Sequence, residues 1–434
     1  MGSIVCKFGG SSLADSSQIR KMEAIVRADE RRRFLVVSAP GKRHDEDEKI
    51  TDLLFACQAR ARAGEPIQAL FALVRRRYLD IAADLGVETG LEAELDDIEE
   101  RLEAGASPDE AASRGEYLCA LLMADYLDAE FVDAAEVIRF TTEGGLDEAS
   151  YRFLAESLGE ERLYVLPGFY GALPDGSIKT FSRGGSDITG AIVARAVGAD
   201  VYENWTDVSG FLMADPRLVE NPAPMHAVTY REMRELAYMG AKVFHEEAIV
   251  PVYREKIPIN IRNTNKPEDA GTMIVPERDM GEEVVVGIAG KKGFSLLLIE
   301  KFLLKKERGF IKRLHELLRK HDIVWERELV GIDAVTLIIP SEQIAGSEQA
   351  LLTEIRSRFD PDRAEIKGDL ALIAAVGEGM AFRRGVAARL FSALAEAGIN
   401  VRIADQGSSE INIMVGVDEK HYQQAVNAIY ATFC

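Results

Sequence analysis

The chain has 434 residues, 47% of them hydrophobic, and a formal net charge of −20. This length predicts about two to four domains with ordinary cores, and the negative charge argues against nucleic acid and anionic membranes as partners. The four cysteines are unpatterned and no apolar run reaches about 18 residues, so no disulfide framework, zinc site or transmembrane helix is predicted. Because the N-terminus has no signal-peptide pattern, we expect a cytoplasmic protein.

The first notable feature is a short apolar strand, predicted over Ile4–Phe8, that runs through Lys7 into Gly9 and Gly10. A helical pattern follows the glycines. Glycine lets backbone amides approach an anion closely, and the start of a helix favours negative charge. The residue order is not that of a Walker A loop. Two interpretations stay open, a tight turn or a phosphate site, and the lysine favours the second.

The pattern up to about residue 275 predicts a mostly parallel α/β sheet with helices on its faces. A buried strand over 34–39 ends in Pro40-Gly41 and is followed by a polar, acidic loop, 42–49. This loop is either a solvated connection or a flap over a site, since it leaves the same end of the sheet as Lys7. Ligands of such sheets bind at the carboxyl ends of the strands.

Two later segments also combine polar side chains with glycines. Ser107 opens a predicted helix as a capping box, and Gly115 lies inside that helix between Arg114 and Glu116. A glycine there costs about 1 kcal/mol relative to alanine, so it marks close approach of backbone or ligand. The run Ser182–Asp187 forms a second strand–Gly-Gly–helix junction.

Together these groups have the chemistry that phosphoryl transfer requires. Lys7 and Lys242 can neutralise phosphate oxygens, and the glycines of both junctions can donate amides. Arg183 offers a planar fork for a carboxylate. Glu116 can hold an ammonium group, and Asp187 can orient or assist a transfer. Phosphoryl transfer needs little beyond such positioning, positive charge and a magnesium ion carried mainly by the nucleotide.

Each group also has a structural alternative when it is judged alone. Arg114 and Glu116 can form a helix surface pair, and Asp187 can cap its helix. Thr206-Asp207 and Asp215-Pro216-Arg217 can be turns. The occurrence of all of them in this order favours a shared site.

The last third of the chain is an internal repeat with a different pattern. Six residues recur 76 positions later, Gly309, Arg313, Leu314, Leu318, Ile323 and Gly331 as Gly385, Arg389, Leu390, Leu394, Ile399 and Gly407. Each copy is predicted as strand, helix, strand, strand, helix, and only the first has a closing strand, at 363–367. We predict that the apolar strand 284–289 completes the sheet of the second copy, so that the first copy is inserted within it. Such paired modules either hold small ligands between them or serve as a dimerisation unit.

These runs resemble the signatures of aspartate kinase, in the amino-acid kinase family, over nearly the whole chain. The matching runs are Lys7–Ser12, Arg114–Glu116, Ser182–Asp187, Trp205–Val208, Asp215–Arg217 and Gly240–Val243. The repeat resembles tandem ACT domains, including the run Asp405–Glu410. The resemblance implies an α/β amino-acid kinase fold over 1–278 and two α+β ferredoxin-like ACT domains. The first ACT domain spans 295–368, and the second spans 369–434 plus strand 283–290.

The activity that the resemblance implies is ATP-dependent phosphorylation of the β-carboxylate of L-aspartate, with Mg²⁺. The product, 4-phospho-L-aspartate, opens the route to lysine, threonine and methionine. Lys7 and Asp187 would be catalytic. The residues implied at the nucleotide and its phosphate are Lys7, Gly9, Gly10, Ser11, Thr206, Asp207, Arg217 and Lys242. Those implied at aspartate are Ser38, Thr51, Glu116, Arg183 and Ser186.

Regulation and assembly are implied in the same way. Lysine, threonine or both would inhibit by binding between ACT copies, across a homodimer or higher homo-oligomer. The residues implied at the effector are Arg308, Gly309, Phe310, Trp325 and Glu326, and the large Trp325 departs from the usual family sequence. Two alternatives remain, a kinase of the same fold with another acceptor, and an amino-acid-sensing ACT protein with an inactive kinase domain. Arg114–Glu116 and the ACT repeat argue against the first. Intact Lys7, Arg183 and Asp187 argue against the second.

Overall fold

The computed structural model describes residues 2–159, 161–182, 184–241, 244, 246–279, 281 and 283–434. The chain forms two compact units. The first comprises Met1–Phe211, Pro224–Ala237 and Lys242–Asp279, and the second comprises Leu212–Ala223, Tyr238–Ala241 and Met280–Cys434. In the described part, no helix is both long and apolar enough to cross a membrane.

The first unit is built on an eight-stranded sheet with the strand order β3-β4-β2-β1-β7-β9-β10-β8. All neighbouring pairs are parallel except β9 and β10. Strands β5 and β6 form a separate antiparallel hairpin. The strands are β1 Ile4–Phe8, β2 Arg32–Val37, β3 Glu130–Phe131, β4 Tyr164–Pro167, β5 Tyr170–Ala172, β6 Ile178–Thr180, β7 Val201–Thr206, β8 Ala227–Thr229, β9 Ile259–Asn263 and β10 Thr272–Val275.

Helices cover both faces of this sheet, which confirms the predicted fold class. They are α1 Ser16–Arg27, α2 Ile50–Arg62, α3 Gln68–Leu85, α4 Leu91–Glu103, α5 Pro108–Leu127, α6 Ala134–Val137, α7 Ala149–Ser157, α8 Gly185–Ala196, α9 Tyr230–Tyr238 and α10 Ile249–Tyr253, with 3-10 helices at Gly10–Leu13 and Glu246–Ala248. Helices α1–α5 pack on the face of β1 that carries Ile4, Cys6 and Phe8. Helix α8 contacts β1, β2 and β7, and its Asp187 meets Lys7 on the other face. The alternation along β1 therefore sends apolar groups to one helical layer and Lys7 to the other.

Helix α5 begins where the capping box predicts. Ser107 precedes Pro108, and its hydroxyl accepts a hydrogen bond from the Glu110 amide at 3.1 Å. A Cβ placed on Gly115 would lie 2.9 Å from the Ala39 Cβ, so the glycine allows α5 to approach the end of β2 closely. This close approach is what the glycine inside the helix predicts.

The second unit holds a six-stranded antiparallel sheet with the order β12-β13-β11-β14-β16-β15. Its strands are β11 Gly287–Glu300, β12 Arg327–Val330, β13 Ala334–Pro340, β14 Arg363–Val376, β15 Val401–Asp405 and β16 Asn412–Asp418. Its helices are α11 Phe310–Lys320, α12 Glu348–Phe359, α13 Val386–Glu396 and α14 Tyr422–Phe433, with 3-10 helices at Leu304–Lys306, Ser341–Gln343, Glu378–Phe382 and Glu419–His421. Each repeat copy has its own buried cluster.

Strands β11 and β14 are each shared by the two repeat copies. The sequence predicts separate strands on either side of residue 292 and of residue 369, but the structure joins them into two strands of 14 residues. Residues 287–291 of β11 pair with 372–376 of β14, so the segment predicted to complete the second copy does pair with it. The predicted domain boundaries themselves stay a prediction.

Candidate active site

The centre of the candidate site is an ion pair between Lys7 and Asp187. Their Nζ and Oδ1 atoms are 2.6 Å apart, and the side chains are 10% and 17% exposed. Lys7 lies near the end of β1, and Asp187 lies in the first turn of α8. Gly184, not Asp187, precedes that helix, so the carboxylate is free of the capping role that the sequence left open. Asp187 instead fixes the ammonium of Lys7.

Two residues that sequence reasoning missed complete this centre. Asn204 lies opposite Lys7 in the parallel ladder of β1 and β7. Its side-chain amide donates to Asp187 Oδ1 at 2.7 Å. Tyr202 donates its hydroxyl to the Asp187 carbonyl at 3.1 Å, and burial raises its pKa well above the usual value. The available signal was the period-2 alternation of β7, which places both residues on the face of Lys7.

The glycine turn after β1 is held by the ends of neighbouring strands. The Gly9 amide donates to the Trp205 carbonyl at 3.0 Å, and the Gly10 carbonyl accepts from the Gly41 amide at 2.8 Å. The hydroxyls of Ser12 and Thr264 are 2.7 Å apart. A 3-10 helix begins at Gly10, so its first amides, including that of Ser11, have no intrahelical partner. This geometry fits the anion site that the sequence predicts.

The turn has no room for a side chain at Gly10. A Cβ at that position would lie 2.9 Å from the Ala39 carbonyl oxygen. A Cβ at Gly9 would lie 3.4 Å from Lys7 Nζ, in the space next to the ammonium. The two glycines therefore keep the backbone close to Lys7 and to the end of β2.

Glu116 is buried beside the end of β2 with an unsatisfied carboxylate. It is 6% exposed, and its Oε2 has no hydrogen-bond partner among the described residues. Burial raises its pKa to about 7, an effect that the Ala39 amide and Arg114 partly oppose. A buried carboxylate with an unpartnered oxygen is stabilised in its charged form by a cation that enters the site. The sequence alternative, a helix surface pair with Arg114, is wrong because both side chains are buried and Arg114 stacks on Tyr117 and Tyr170.

The other residues predicted at aspartate lie near the same strand ends. Ser38 follows β2, and its amide donates to the Phe8 carbonyl at 3.1 Å. Thr51 lies in the first turn of α2. Ser186 is buried, and a Cβ on Gly168 would lie 2.7 Å from the Ser186 Cβ, so it packs on the backbone after β4. Arg183 lies outside the described residues.

The residues predicted at the nucleotide come from several parts of the chain. Thr206 is the last residue of β7 and Asp207 follows it, and their side chains are joined by a hydrogen bond of 3.2 Å. Arg217 belongs to the second unit, where its guanidinium pairs with Asp215 at 2.6 Å. Lys242 lies outside the described residues. Within the described ranges, no group of three His, Cys, Asp or Glu side chains has the geometry of a metal site.

The residues predicted at the effector lie in the first repeat copy. Gly309 precedes α11 with a φ of 77°, and Phe310 is buried behind it. Trp325 stacks on His315 with ring centroids 4.4 Å apart. Glu326 donates its amide to the Ile338 carbonyl, and its carboxylate accepts from the Tyr238 hydroxyl. Arg308 lies in the turn before these residues.

The sheet with its glycine turn and lysine, followed by the antiparallel repeat, defines an amino acid kinase with a C-terminal ACT region. The model of the amino acid kinase family matches residues 2–263, and an ACT domain model matches residues 373–433. The chain belongs to the amino acid kinase family, among its aspartokinases with ACT domains.

Relatives cover the full length of the chain. It is 40% identical over 445 residues to aspartokinase 3 of Bacillus subtilis. The alignment covers 99% of this chain and 98% of the relative. The aspartate kinase of Clostridium acetobutylicum has a similar structure, with a TM-score of 0.94, 46% identity and 100% of both chains covered. Escherichia coli aspartokinase III in complex with aspartate and ADP gives a TM-score of 0.77, with 27% identity and 99% of each chain covered.

Proposed function

We propose that this chain transfers the γ-phosphoryl group of ATP to the β-carboxylate of L-aspartate, forming 4-phospho-L-aspartate and ADP. The observation that carries the proposal is the buried Lys7–Asp187 pair beside the glycine turn. Such a site supplies positive charge and amide donors to a phosphoryl group in transfer. The E. coli relative binds aspartate and ADP.

Each side chain has a distinct task in this mechanism. Lys7 and the amides of Gly10 and Ser11 hold the transferring phosphoryl group. Gly9 lies beside them without donating, because its amide is bonded to the Trp205 carbonyl. Asp187 keeps Lys7 in place. The nucleotide is held by Thr206, Asp207, Arg217 and Lys242. Mg²⁺ would be carried mainly by the nucleotide, where it would neutralise charge on the phosphates.

Aspartate binds at the ends of β2 and α5 in this proposal. Glu116 accepts its ammonium group, and the unpartnered Oε2 of Glu116 supports this assignment. Arg183 binds its α-carboxylate through a planar fork. Ser38, Thr51 and Ser186 line the pocket around the substrate.

The test is ADP release in the presence of aspartate by Lys7→Ala and Arg183→Ala, with the exposed Lys266→Ala as the control. We expect no measurable turnover in the first two variants and wild-type turnover in the control. Wild-type turnover in either of the first two would refute the role of that residue. Screening glutamate, N-acetylglutamate, carbamate and UMP as acceptors separates this function from that of a same-fold kinase.

Regulation acts through the ACT domains, with lysine, threonine or both as the effector. The residues proposed at the effector are Arg308, Gly309, Phe310, Trp325 and Glu326. The E. coli relative is lysine-sensitive, and its structure with lysine and aspartate supports lysine as the first candidate. Initial rates titrated against each amino acid, together with calorimetry, test this. Tight binding without turnover on any acceptor would favour an inactive kinase domain that acts as a sensor.

The proposed assembly is a homodimer or a higher homo-oligomer through the ACT domains, in the cytoplasm. The domain division proposed is 1–278, 295–368, and 369–434 with strand 283–290. Sedimentation of the full chain and of a variant that ends at residue 278 tests the assembly. A dimeric 1–278 fragment would place the interface elsewhere.

A further inference from the structure

The loop 42–49, whose role the sequence leaves open, is attached to α3 through one buried arginine. Arg77 lies in the middle of α3 and is only 5% exposed. Its NH1 donates to the Gly41 carbonyl at 3.0 Å, and its NH2 donates to Asp47 Oδ2 at 2.6 Å. The planar guanidinium therefore joins the helix to both ends of the segment that follows β2.

Asp47 is partly buried, whereas the other residues of the loop 42–49 are exposed. Its carboxylate also accepts hydrogen bonds from the amide and the Nε of Arg43, each at 3.0 Å. These contacts hold the pKa of Asp47 well below its usual range, Arg43 contributing most. The loop is thus anchored by charge-assisted hydrogen bonds rather than by apolar packing.

A pocket of about 530 Å³ separates the rest of the loop from the helices. It is lined by polar and charged residues of the loop, among them His44 and Glu46, and by Leu53, Leu73, Arg76 and Asp80 of α2 and α3. Because this space is open, little besides the Arg77 contacts fixes the distance between loop and helix.

The same arginine reaches the glycine turn of the candidate site through Gly41. The Gly41 amide donates to the Gly10 carbonyl at 2.8 Å, and a Cβ on Gly41 would lie 2.6 Å from the Gly10 carbonyl carbon. In a planar trans peptide the carbonyl of Gly10 and the amide of Ser11 point in opposite directions. Fixing the Gly10 carbonyl on Gly41 therefore also fixes the direction of the Ser11 amide.

We propose that Arg77 is a positioning residue of the kinase reaction, which latches the loop 42–49 and holds Gly41 against the phosphate turn at Gly10. The inference rests on the proposed function for its catalytic consequence. The latch itself is a property of the fold and is measurable without turnover.

The first experiment measures the latch by limited trypsin digestion of the full chain, because the loop contains Lys42, Arg43 and Lys49. In Arg77→Met, which keeps the apolar stem and removes the donors, we expect cleavage within the loop to be about tenfold faster. Asp47→Asn, which removes the charge that Arg77 and Arg43 contact and changes no residue of the hydrophobic core, should also accelerate it. Arg77→Lys should restore part of the protection, since an ammonium can still donate to one partner.

The second experiment measures steady-state kinetics of the same variants. We expect Arg77→Met to lower kcat about tenfold, because the amides at the phosphate turn lose their fixed direction. The KM for aspartate should stay within about twofold, because Arg77 does not contact Glu116. Arg76→Met is the matched control, since Arg76 lines the same pocket but its ion pair is with the exposed Asp80 of its own helix.

The outcomes distinguish three claims: the latch, the positioning role of Arg77 and the proposed function. Unchanged loop cleavage in both Arg77→Met and Asp47→Asn would overturn the latch. Faster cleavage with unchanged kcat would overturn the positioning role, as would an equal loss of kcat in Arg76→Met. If wild-type protein fails to phosphorylate aspartate, the proposed function fails while the digestion still decides the latch.

Discussion

Asn204 donates its side-chain amide to Oδ1 of Asp187, the oxygen that also pairs with the ammonium of Lys7. The carboxylate is therefore held from two sides, by β7 and by β1. If Asn204 orients it, Asn204→Leu will lower kcat about tenfold, since a lost hydrogen bond to a charged group has about that effect. The KM for aspartate should change little, because the side-chain amide of Asn204 bonds Asp187 and Tyr202, which are not assigned to aspartate.

Tyr202→Phe is the matched control for Asn204. Its hydroxyl bonds the backbone carbonyl of Asp187 and not the carboxylate. We expect a smaller loss of kcat than in Asn204→Leu. Equal losses in the two variants would assign the effect to the general packing of α8 and contradict a role for the amide.

The stability of the unliganded protein should depend on pH through Glu116. Its pKa is about 7 in the folded chain and about 4.5 when the chain is unfolded. Between pH 4.5 and pH 7 the folded state keeps a proton that the unfolded state releases, so the free energy of unfolding falls as pH rises. Above pH 7 Glu116 is charged in both states, and the whole free-energy cost of burying its charge is present. Glu116→Gln should therefore be more stable than wild type at pH 8, by on the order of 3 kcal/mol, and about equal at pH 4. Urea unfolding at both pH values measures this, and a constant difference between them would contradict it.

Aspartate binding should release a proton from Glu116 near pH 7. The substrate ammonium stabilises the charged carboxylate, so binding lowers the pKa of Glu116. Calorimetry at pH 7 in two buffers of different ionisation enthalpy should detect about half a proton released. Glu116→Gln should bind aspartate more weakly, with no buffer dependence. Equal release from both proteins would remove Glu116 from the ammonium site.

Replacing Gly115 by alanine tests whether packing or helix propensity dominates at this position, because the two change the free energy of unfolding in opposite directions. Alanine in a helix interior normally stabilises by about 1 kcal/mol relative to glycine. Here its Cβ would lie 2.9 Å from the Ala39 Cβ and 3.3 Å from the Ile50 Cγ2. Gly115→Ala should therefore destabilise by about 1–3 kcal/mol in thermal or urea unfolding. Gly90→Ala, just before α4, is the control for packing, because an added Cβ there would meet no atom beyond its chain neighbours within 4 Å, and it should show no packing cost.

The sequence predicts well those parts of the site whose signal is local. The strand and glycine turn around Lys7, the capping box at Ser107 and the close approach at Gly115 each follow from a few adjacent residues. Asn204 and Arg77 could not be assigned, because their partners are distant in sequence and meet them only in the folded sheet. Arg77, for example, contacts a residue 30 positions away.

The repeat shows the same limit at the level of strands. Periodicity indicated strands at each of these places in the two copies, but it could not show that parts of 284–289 and 295–303 belong to one strand, β11. Gly290 and Gly293 interrupt the apolar pattern there, and pairing with β14 carries β11 across the interruption. Only the long-range ladder decides whether such a break is a loop or an irregularity within one strand.

The two tryptophans allow effector binding to be observed directly at the site proposed for it. Trp205 is 1% exposed, and the guanidinium groups of Arg32 and Arg262 lie over its ring, whereas Trp325 is partly exposed and stacks on His315. An amino acid that binds beside Trp325 will change the polarity around its ring, so its fluorescence should shift with lysine or threonine. The shift should saturate over the same concentrations that inhibit ADP release. It should vanish in Trp325→Phe and persist in Trp205→Phe. A shift that survives in Trp325→Phe would show that the effector acts away from this strand.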